Sequence, residues 1–377
     1  MLRVLHLIYD DPKNPWVAGG GGVRVFEIYR RLVDRLGPIT VATGSYPGAR
    51  DEEIDGVRYR RLGAATPYSW SRLSYAYAAS RLLAKGDYDV AVYDFSTYTP
   101  IRLPQNRPLG VTVHHLTERT AVERWGKLVG SVVASQELRR LRRGRFFSAT
   151  SEVTHQRLRT LLGPGVEVRR VQAGVPDELF ENPRREADYL LYFGRLDWIQ
   201  KGLDVLLDAM VILTRAQPDL RLRVAGRGKD AQRLLESSRK LGIRDNVELI
   251  GSVGEEARAK LLAGARVLLM PSRFEGFGMV AAEAMAAGVP LVATSAGSLP
   301  EVVNPPEGGV LVPPGDAEAL AEAVAELLRD GRARRRLSQS ARAAAQRFRW
   351  DRVAEQHLEF LEGIHTAESL ATTGVKG

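Results

Sequence analysis

Short apolar segments alternate along the chain with stretches whose apolar residues recur at helical spacing. Residues 4–8 form an apolar run typical of a buried strand, and residues 23–36 carry Val25, Ile28 and Leu32 on one helical face. The first half continues with predicted strands at 39–43, 57–62, 90–93, 110–114, 145–150 and 166–171 and predicted helices near 70–84, 127–142 and 152–162. Strands that alternate with helices favour a mostly parallel sheet covered on both faces.

Residues 173–189, AGVPDELFENPRREADY, interrupt this pattern, because they are rich in proline and charge and have no period. We interpret them as a domain linker. The alternation then resumes, with predicted strands at 189–194, 220–225, 246–250, 266–269, 290–294 and 309–312 and predicted helices at 201–215, 229–241, 255–263, 279–287, 317–329, 331–347 and 350–363. Asp316 is a suitable N-cap for the helix at 317–329. The pattern predicts two consecutive α/β domains, with ligands at the carboxyl ends of the strands.

The composition narrows the choice of partners. The chain has 377 residues, a net charge of +9, six scattered histidines and no cysteine, so we expect neither disulfides nor a metal site. Arginine clusters such as the one at 139–145 suit an anionic partner, namely a nucleotide, a phosphorylated substrate, an anionic membrane face or nucleic acid, although a solvated surface also explains each cluster. No apolar run is long enough to span a membrane, and we expect a cytoplasmic protein.

Two glycine-rich segments follow predicted strands. A run of four glycines at 19–22 precedes the first helix, where backbone N–H groups could approach an anion, although a flexible loop is the alternative. It is neither a GxGxxG fingerprint nor a P-loop. The segment VAGRGK, with Gly226, places a second glycine turn between a strand and a helix, where an ordinary turn is equally compatible.

The segment FGRLDWIQKG, residues 193–202, places two cations at the end of a strand. Arg195 and Lys201 flank the loop that opens the next helix, and Gly194 lies beside them. A guanidinium and an ammonium near a helix N-terminus are suited to a diphosphate. The alternative is a pair of surface cations.

The segment EGFGMVAAEAMAAG, residues 275–288, carries two carboxylates. Glu275 precedes a helix whose glycines leave the N–H groups of residues 277–280 available to phosphate or sugar oxygens. Glu283 lies inside this helix among alanines, where a carboxylate must be paired or hydrogen-bonded. The two hydroxyls of a ribose would satisfy it, and a structural salt bridge is the alternative.

These motifs resemble the retaining nucleotide-sugar glycosyltransferases of family 4, which have the GT-B fold. The similarity rests on the Glu-x7-Glu of EGFGMVAAE and on GRLDWIQKG, and it extends to the glycine run, VTVH, SATSE, QAGVPDELF and FRWDRVAEQHLEFLEG. It implies two Rossmann-like α/β domains that face each other across a deep cleft. Residues 1–178 would bind the acceptor, residues 187–348 would bind the nucleotide sugar, and residues 349–364 would form a helix that crosses back to the first domain.

The resemblance also implies roles for individual residues. Arg195 and Lys201 would bind the donor diphosphate and stabilise the leaving charge, and His114 would lie beside the reacting sugar. Because this chain has His114-His115 where the family often has His-Asp, His115 is an alternative. The other implied residues are Glu283 at the ribose, Glu275 with the N–H groups of Phe277, Gly278 and Met279 at the transferred sugar, Gly20 and Gly21 near the phosphate or acceptor, and Gly194 and Gly226 in the donor-binding loops.

The implied reaction moves a hexose-type sugar to a hydroxyl acceptor with retention, by same-face attack that needs neither a protein nucleophile nor a metal. We expect UDP as the nucleotide and GDP as the second choice, and no motif identifies the hydroxyl acceptor. A nucleotide-sugar epimerase and a non-catalytic sugar-binding protein remain alternatives, and a nucleic-acid binder has no supporting motif. The residues at 139–145 together with Trp70, Tyr75 and Trp125 suggest a peripheral membrane contact.

Overall fold

The structure of the chain is a computed structural model. It describes residues 1–16, 20–96, 100–104, 107–114, 116 and 118–373, without the side chains of 118–125, 129 and 370–373. The chain forms two compact units, of which the first comprises Met1–Gly174 and Trp350–Gly377 and the second comprises Val175–Arg349. The units thus divide the chain after Gly174 and after Arg349, whereas the predicted domain limits lie at 178, 187 and 349.

The first unit is an eight-stranded sheet with helices on its faces. Its strands are β1 (Val4–Leu7), β2 (Ile39–Gly44), β3 (Glu52–Ile54), β4 (Val57–Leu62), β5 (Val90–Asp94), β6 (Leu109–Val113), β7 (Phe146–Ala149) and β8 (Glu167–Arg170), in the order β3-β4-β2-β1-β5-β6-β7-β8. Its helices are α1 (Gly20–Tyr29), α2 (Tyr68–Lys85), α3 (Glu118–Leu141), α4 (Glu152–Leu162) and, from the end of the chain, α13 (Trp350–Thr373). All pairings are parallel except that of β3 with β4.

Two apolar layers cover this sheet. On one face α1 and α13 pack together, with Val25 and Ile28 in the same cluster as Val353 and Leu361. On the other face α2 contributes buried residues such as Leu83. Because the central strands are covered on both sides, their residues are nearly all apolar, as the sequence predicted for a parallel sheet.

The second unit is a six-stranded parallel sheet. Its strands are β9 (Leu190–Phe193), β10 (Leu222–Ala225), β11 (Val247–Gly251), β12 (Val267–Met270), β13 (Leu291–Thr294) and β14 (Val310–Val312), in the order β11-β10-β9-β12-β13-β14. Its helices are α5 (Glu178–Glu181), α6 (Leu203–Ala216), α7 (Ala231–Lys240), α8 (Glu255–Gly264), α9 (Met279–Ala286), α10 (Leu299–Val303), α11 (Ala317–Arg329) and α12 (Gly331–Ala344). The predicted cap of α11 is confirmed, since Asp316 Oδ1 accepts a hydrogen bond from the N–H of Ala319 at 2.9 Å.

Some predicted boundaries are wrong. The first helix ends at Tyr29, although Leu32 and Leu36 remain buried, because residues 30–36 continue as turns in which Leu32 N–H donates to Tyr29 C=O. The predicted linker contains the short helix α5, whose Leu179 and Phe180 are buried.

The surface expectations are partly corrected. Trp70, Leu73 and Tyr77 are all more than half exposed on α2, whereas Tyr75 is buried and its hydroxyl donates to Ala42 C=O. Tyr75 therefore belongs to the core and cannot contribute to a membrane contact. The side chain of Trp125 lies outside the described part. Within the described residues, no helix combines the length and the apolar character that crossing a membrane requires.

Candidate functional site

The strand order of each unit defines where a ligand would bind. In the second unit β9 is central, and the chain extends from it first towards β10 and β11 and then, on the other side, towards β12 and β13. The crevice at such a reversal of strand order, outside the carboxyl ends of the strands, is the usual ligand site of open α/β sheets. The loops that follow β9 and β12 carry Arg195, Lys201 and Glu275, so topology brings the predicted residues to this crevice.

The glycine turns after β9 and β10 lie in direct backbone contact. Gly226 has a φ of +142°, and a Cβ at this position would lie 1.8 Å from the carbonyl oxygen of Gly194. The N–H of Gly194 in turn donates to Ala225 C=O at 2.9 Å. Only glycine fits position 226. The two loops therefore pack directly against each other beside the crevice.

Lys201 and Glu275, which are 74 residues apart in the sequence, form an ion pair. The Nζ of Lys201 donates to Oε1 of Glu275, and the hydroxyl of Ser272 donates to the same oxygen at 2.9 Å. Both charged side chains are mostly buried. A partly desolvated pair of this kind holds both groups in fixed positions at the ends of β9 and β12.

Arg195 keeps its charge available. Its Nη2 donates to Oε1 of Gln200 at 2.7 Å, and its backbone carbonyl accepts from the hydroxyl of Tyr192 at 2.9 Å. Within the described residues, no carboxylate pairs with its guanidinium. The loop therefore presents a cation that an anionic ligand can neutralise.

The start of α9 presents free donors. Gly278 caps this helix with a φ of +90°, a conformation that favours glycine. The carbonyl of Phe277 accepts from the hydroxyl of Ser298 at 2.7 Å. None of the N–H groups of residues 277–280, which include Met279, donates to another group in the described part of the chain. These donors lie next to Glu275 at the positive end of the helix.

Glu283 is only 4% exposed and is paired. Its Oε1 accepts a hydrogen bond from Nη1 of Arg258 on α8 at 3.0 Å, whereas Oε2 accepts none from the described residues. Burial raises the pKa of Glu283, and the charge of Arg258 opposes this rise. The salt bridge considered as the alternative is therefore present, and one carboxylate oxygen is left for a ligand.

Arg258 also lines a cavity inside the second unit. The cavity has a volume of about 680 Å³ and lies between the segment around α5 and the helix α8. Its wall includes Leu179, Pro183, Glu255 and Ala259. No sequence pattern singles out Arg258, because its partner Glu283 lies 25 residues away and only the fold brings them together.

In the first unit β1 is central, and β5 and β6 follow on one side. His114, directly after β6, is 31% exposed at its side chain and its Nε2 lies 2.7 Å from Oδ2 of Asp94, the last residue of β5. The alternative residue His115 lies outside the described residues. Asp94 is buried, and its Oδ1 lies 3.0 Å from Nε2 of His6. One carboxylate thus bridges two imidazoles.

Two acids meet at this edge of the sheet. Burial, and then the charge of Asp94, raise the pKa of Asp10 to about 6. Burial alone would also raise the pKa of Asp94, but His114 and His6 outweigh it and hold the value well below its usual range. A Cβ at Gly21 would lie 3.4 Å from Oδ2 of Asp10, which places the glycine run beside this cluster. The neighbouring Gly20, at the first position of α1, has open space around it.

Asp10 and Asp94 were missed by the sequence analysis. Asp10 follows the apolar strand β1 and Asp94 ends the apolar strand β5, so the rule that identified Arg195 and Glu275 at strand ends could have found them. In the part of the chain that the structure describes, no group of three or more histidine, aspartate or glutamate side chains is arranged to hold a metal ion.

Family models match both halves of the chain. The model described as "Glycosyl transferases group 1" matches residues 177–344, and "Glycosyltransferase Family 4" matches residues 18–179. The MMP alpha-(1->4)-mannosyltransferase of Mycolicibacterium hassiacum is 32% identical over 308 residues, which cover 77% of this chain and 74% of that protein. The phosphatidyl-myo-inositol mannosyltransferase of Mycobacterium leprae is 35% identical over 181 residues, or 48% of each chain. The chain spans about half the length of several such relatives.

Solved structures share the fold. The sucrose-phosphate synthase of Thermosynechococcus elongatus superposes with a TM-score of 0.78 at 23% identity, covering 97% of this chain and 100% of that chain. HepE of Anabaena, solved in complex with UDP, gives a TM-score of 0.70 at 19% identity, covering 96% of this chain and 100% of that chain. These similarities confirm the predicted fold class, two Rossmann-like parallel-sheet domains of the GT-B type.

Proposed function

The chain belongs to glycosyltransferase family 4, and from this premise we propose that it transfers a hexose-type sugar from a nucleotide diphosphate sugar to a hydroxyl acceptor. The observation that carries the proposal is the ion pair of Lys201 with Glu275, in the same crevice loops as the guanidinium of Arg195, which no carboxylate of the described residues neutralises. Cations, a carboxylate and free backbone donors converge there at the crevice of the second unit. This set can bind both the diphosphate and the sugar of such a donor.

The donor diphosphate is bound by the two cations. Arg195 offers a planar pair of N–H donors, while Lys201 supplies a compact charge that Glu275 keeps in place. The N–H groups at the start of α9 and the carboxylate of Glu275 bind hydroxyls of the sugar. Electrostatic preorganisation of this kind stabilises the charge that builds on the leaving diphosphate.

The ribose is bound by Glu283. Its Oε1 is held by Arg258, so Oε2 is oriented and accepts a hydrogen bond from a ribose hydroxyl. UDP is our first choice of nucleotide and GDP our second, supported by the UDP complex of the structural neighbour HepE.

The reaction retains the configuration of the sugar. The bond between the anomeric carbon and the diphosphate oxygen breaks, the acceptor oxygen bonds to the same face of that carbon, and the acceptor proton passes to the leaving diphosphate. No protein nucleophile and no metal take part, because Arg195 and Lys201 neutralise the leaving group. His114 binds a hydroxyl of the sugar through its ring.

A donor panel tests this function with water as the acceptor. The protein is incubated separately with UDP-glucose, UDP-galactose and GDP-mannose, and free nucleoside diphosphate is measured. We expect release from one donor, with the freed sugar appearing first in ¹H NMR spectra as the anomer present in the donor. Conversion into another nucleotide sugar without release would favour an epimerase, and no change in any donor would refute the proposal.

We also propose that the exposed face of α2 makes a peripheral contact with an anionic membrane. Trp70, Leu73 and Tyr77 follow one another along this face, and the exposed cations Arg81 and Lys85 continue it. Aromatic residues beside cations are typical of the membrane interface.

Co-sedimentation with phosphatidylserine-containing vesicles at low salt should retain the protein. The triple change of Trp70, Leu73 and Tyr77 to serine should release it, whereas Ile212→Ser, an exposed apolar residue of the second unit, should not. Equal retention of the triple variant and the parent protein would count against this contact.

A further inference from the structure

A network of hydrogen-bonded side chains crosses the interior of the first unit from His114 to the C-terminal helix α13. His114 Nε2 and His6 Nε2 lie 2.7 Å and 3.0 Å from the two oxygens of Asp94. The Nδ1 of His6 lies 2.9 Å from Oη of Tyr29, and that oxygen lies 3.0 Å from Nε2 of His357. Every member except His114 is buried. The network therefore links β1, α1, β5, the end of β6 and α13.

His357, at the α13 end of this network, determines which ring nitrogens and oxygens carry the protons. Burial, and then the charge of Arg24, lower the pKa of His357 well below its ordinary value, so the ring is neutral. Its Nδ1 is buried and has no hydrogen-bond partner among the described residues. A proton on Nδ1 would be a buried donor without an acceptor, so the proton occupies Nε2 and is donated to Tyr29.

The next hydrogen bonds of the network, from Tyr29 to His6 and from His6 to Asp94, are donated in the same direction. Burial raises the pKa of Tyr29 well above its ordinary value, so the hydroxyl stays protonated and donates to Nδ1 of His6. A ring that accepts at Nδ1 carries its proton on Nε2, and His6 therefore donates to Asp94. An ionised carboxylate only accepts, so Asp94 takes its second hydrogen bond from the Nε2–H of His114.

Arg24 adds a buried positive charge near this network. Its Nη2 donates to the carbonyl of Val171 at 3.2 Å, while Nε and Nη1 have no partner in the described part of the chain. The guanidinium and the Asp94 carboxylate are close enough for the charge of Asp94 to raise the pKa of Arg24 against the larger effect of burial. A cation here favours a neutral His357 and an ionised Asp94. These are the charge states that donation from His357 through Tyr29 and His6 to Asp94 requires.

We infer that His6, Tyr29 and His357 are positioning residues, which hold Asp94 and through it fix the ring and the tautomer of His114. Because Nε2–H of His114 is committed to Asp94, Nδ1 is the atom that the ring offers to a substrate hydroxyl. The inference rests on the proposed function, in which His114 binds the sugar. The helix α13 thereby supports the site through His357, two hydrogen bonds away from His6.

Tyr29→Phe tests the inference with a matched control. The substitution removes the hydroxyl that joins His6 to His357 and leaves the ring in place. Tyr59→Phe is the control, because Tyr59 belongs to the same apolar cluster and its buried hydroxyl has no hydrogen-bond partner among the described residues. Both variants remove one buried oxygen, but only Tyr29→Phe interrupts the hydrogen-bonded network.

The first readout is the tautomer of each ring, from ¹⁵N NMR of the full chain labelled at histidine, with single-histidine variants used for assignment. We expect His6, His114 and His357 to carry their protons on Nε2, and Tyr29→Phe to shift the ring nitrogens of His114 while Tyr59→Phe does not. A proton on Nδ1 of His6 or His357, or His114 signals that are the same in Tyr29→Phe and the parent protein, would overturn the inference. These spectra need no substrate, so they decide it even if the donor panel fails.

The second readout uses the donor identified by that panel. We expect Tyr29→Phe to lower kcat for nucleotide release about tenfold or more with a KM for the donor within about twofold of the parent value, because misplacing a substrate-positioning group affects the reaction more than donor binding. Tyr59→Phe should match the parent protein in both. A Tyr29→Phe variant that loses stability but keeps its kcat would show a merely structural role.

Discussion

Lys201→Ala lowers kcat for the release of nucleoside diphosphate by about a hundredfold to a thousandfold. The substitution removes one of the two predicted diphosphate-binding cations, and among the described residues it leaves Glu275 with the hydroxyl of Ser272 as its hydrogen-bond donor. The loss falls mainly on kcat, because the charge on the diphosphate grows as the sugar leaves. Steady-state kinetics with the donor identified by the panel measure the effect.

Lys260→Ala is the matched control for this result. Lys260 also forms an ion pair with a glutamate, Glu256, but both side chains are largely exposed on α8. Exposed pairs contribute little, so the control keeps the parent kcat and stability. If Lys201→Ala retained the parent kcat, or if both variants lost it equally, Lys201 would have no role at the diphosphate.

Asp94→Asn destabilises the protein by about 3 kcal/mol, because it breaks a buried network of hydrogen bonds at a charged group. Asparagine keeps the size of the side chain but has one oxygen acceptor and one NH₂ donor. Its NH₂ group would face Nε2–H of either His6 or His114, and one of the two rings must abandon its tautomer. Chemical denaturation measures the loss, and Asp34→Asn, at an exposed position of the same unit, serves as the control.

The loss of stability in Asp94→Asn depends on pH. The folded-state pKa of Asp94 is depressed, so its stabilising effect is complete above the unfolded value of about 4 and is lost as the pH falls below it. The difference in unfolding free energy between the parent protein and Asp94→Asn should therefore be constant at neutral pH and shrink in acid. A difference that grew on acidification would contradict the ionised state assigned to Asp94.

The order of strands and helices was predictable because the central strands are covered on both faces. Runs such as those at 190–193 and 267–270 are apolar throughout and short, and helical spacing separates them. The strand β3, Glu52–Ile54, was missed because it has only three residues, two of them glutamate, at the edge of its sheet. The end of α1 was misplaced because its apolar spacing continues through turns to Leu36.

The candidate site divides in the same way. The positions of Arg195, Lys201 and Glu275 were predictable, since each follows a strand and lies near a helix start, whereas their roles at the donor stay predictions. The partners Arg258 and His357 were not predictable, because each lies inside a helix with no local signal and meets its partner only through the fold. The distance in sequence between Tyr29 and His357, 328 residues, shows how much of this network depends on tertiary structure.

Titration calorimetry of UDP, GDP and ADP with the parent protein and Glu283→Gln tests the central claim, that the second unit binds the nucleotide of a sugar donor. One nucleotide should bind the parent protein, and Glu283→Gln should weaken it by about ten to a hundredfold, because a ribose hydroxyl loses its charged acceptor. The control Glu256→Gln, at an exposed glutamate of α8, should bind as the parent protein does. If none of the three nucleotides binds, or if Glu283→Gln binds unchanged, the carboxylate in the alanine helix serves only its salt bridge to Arg258.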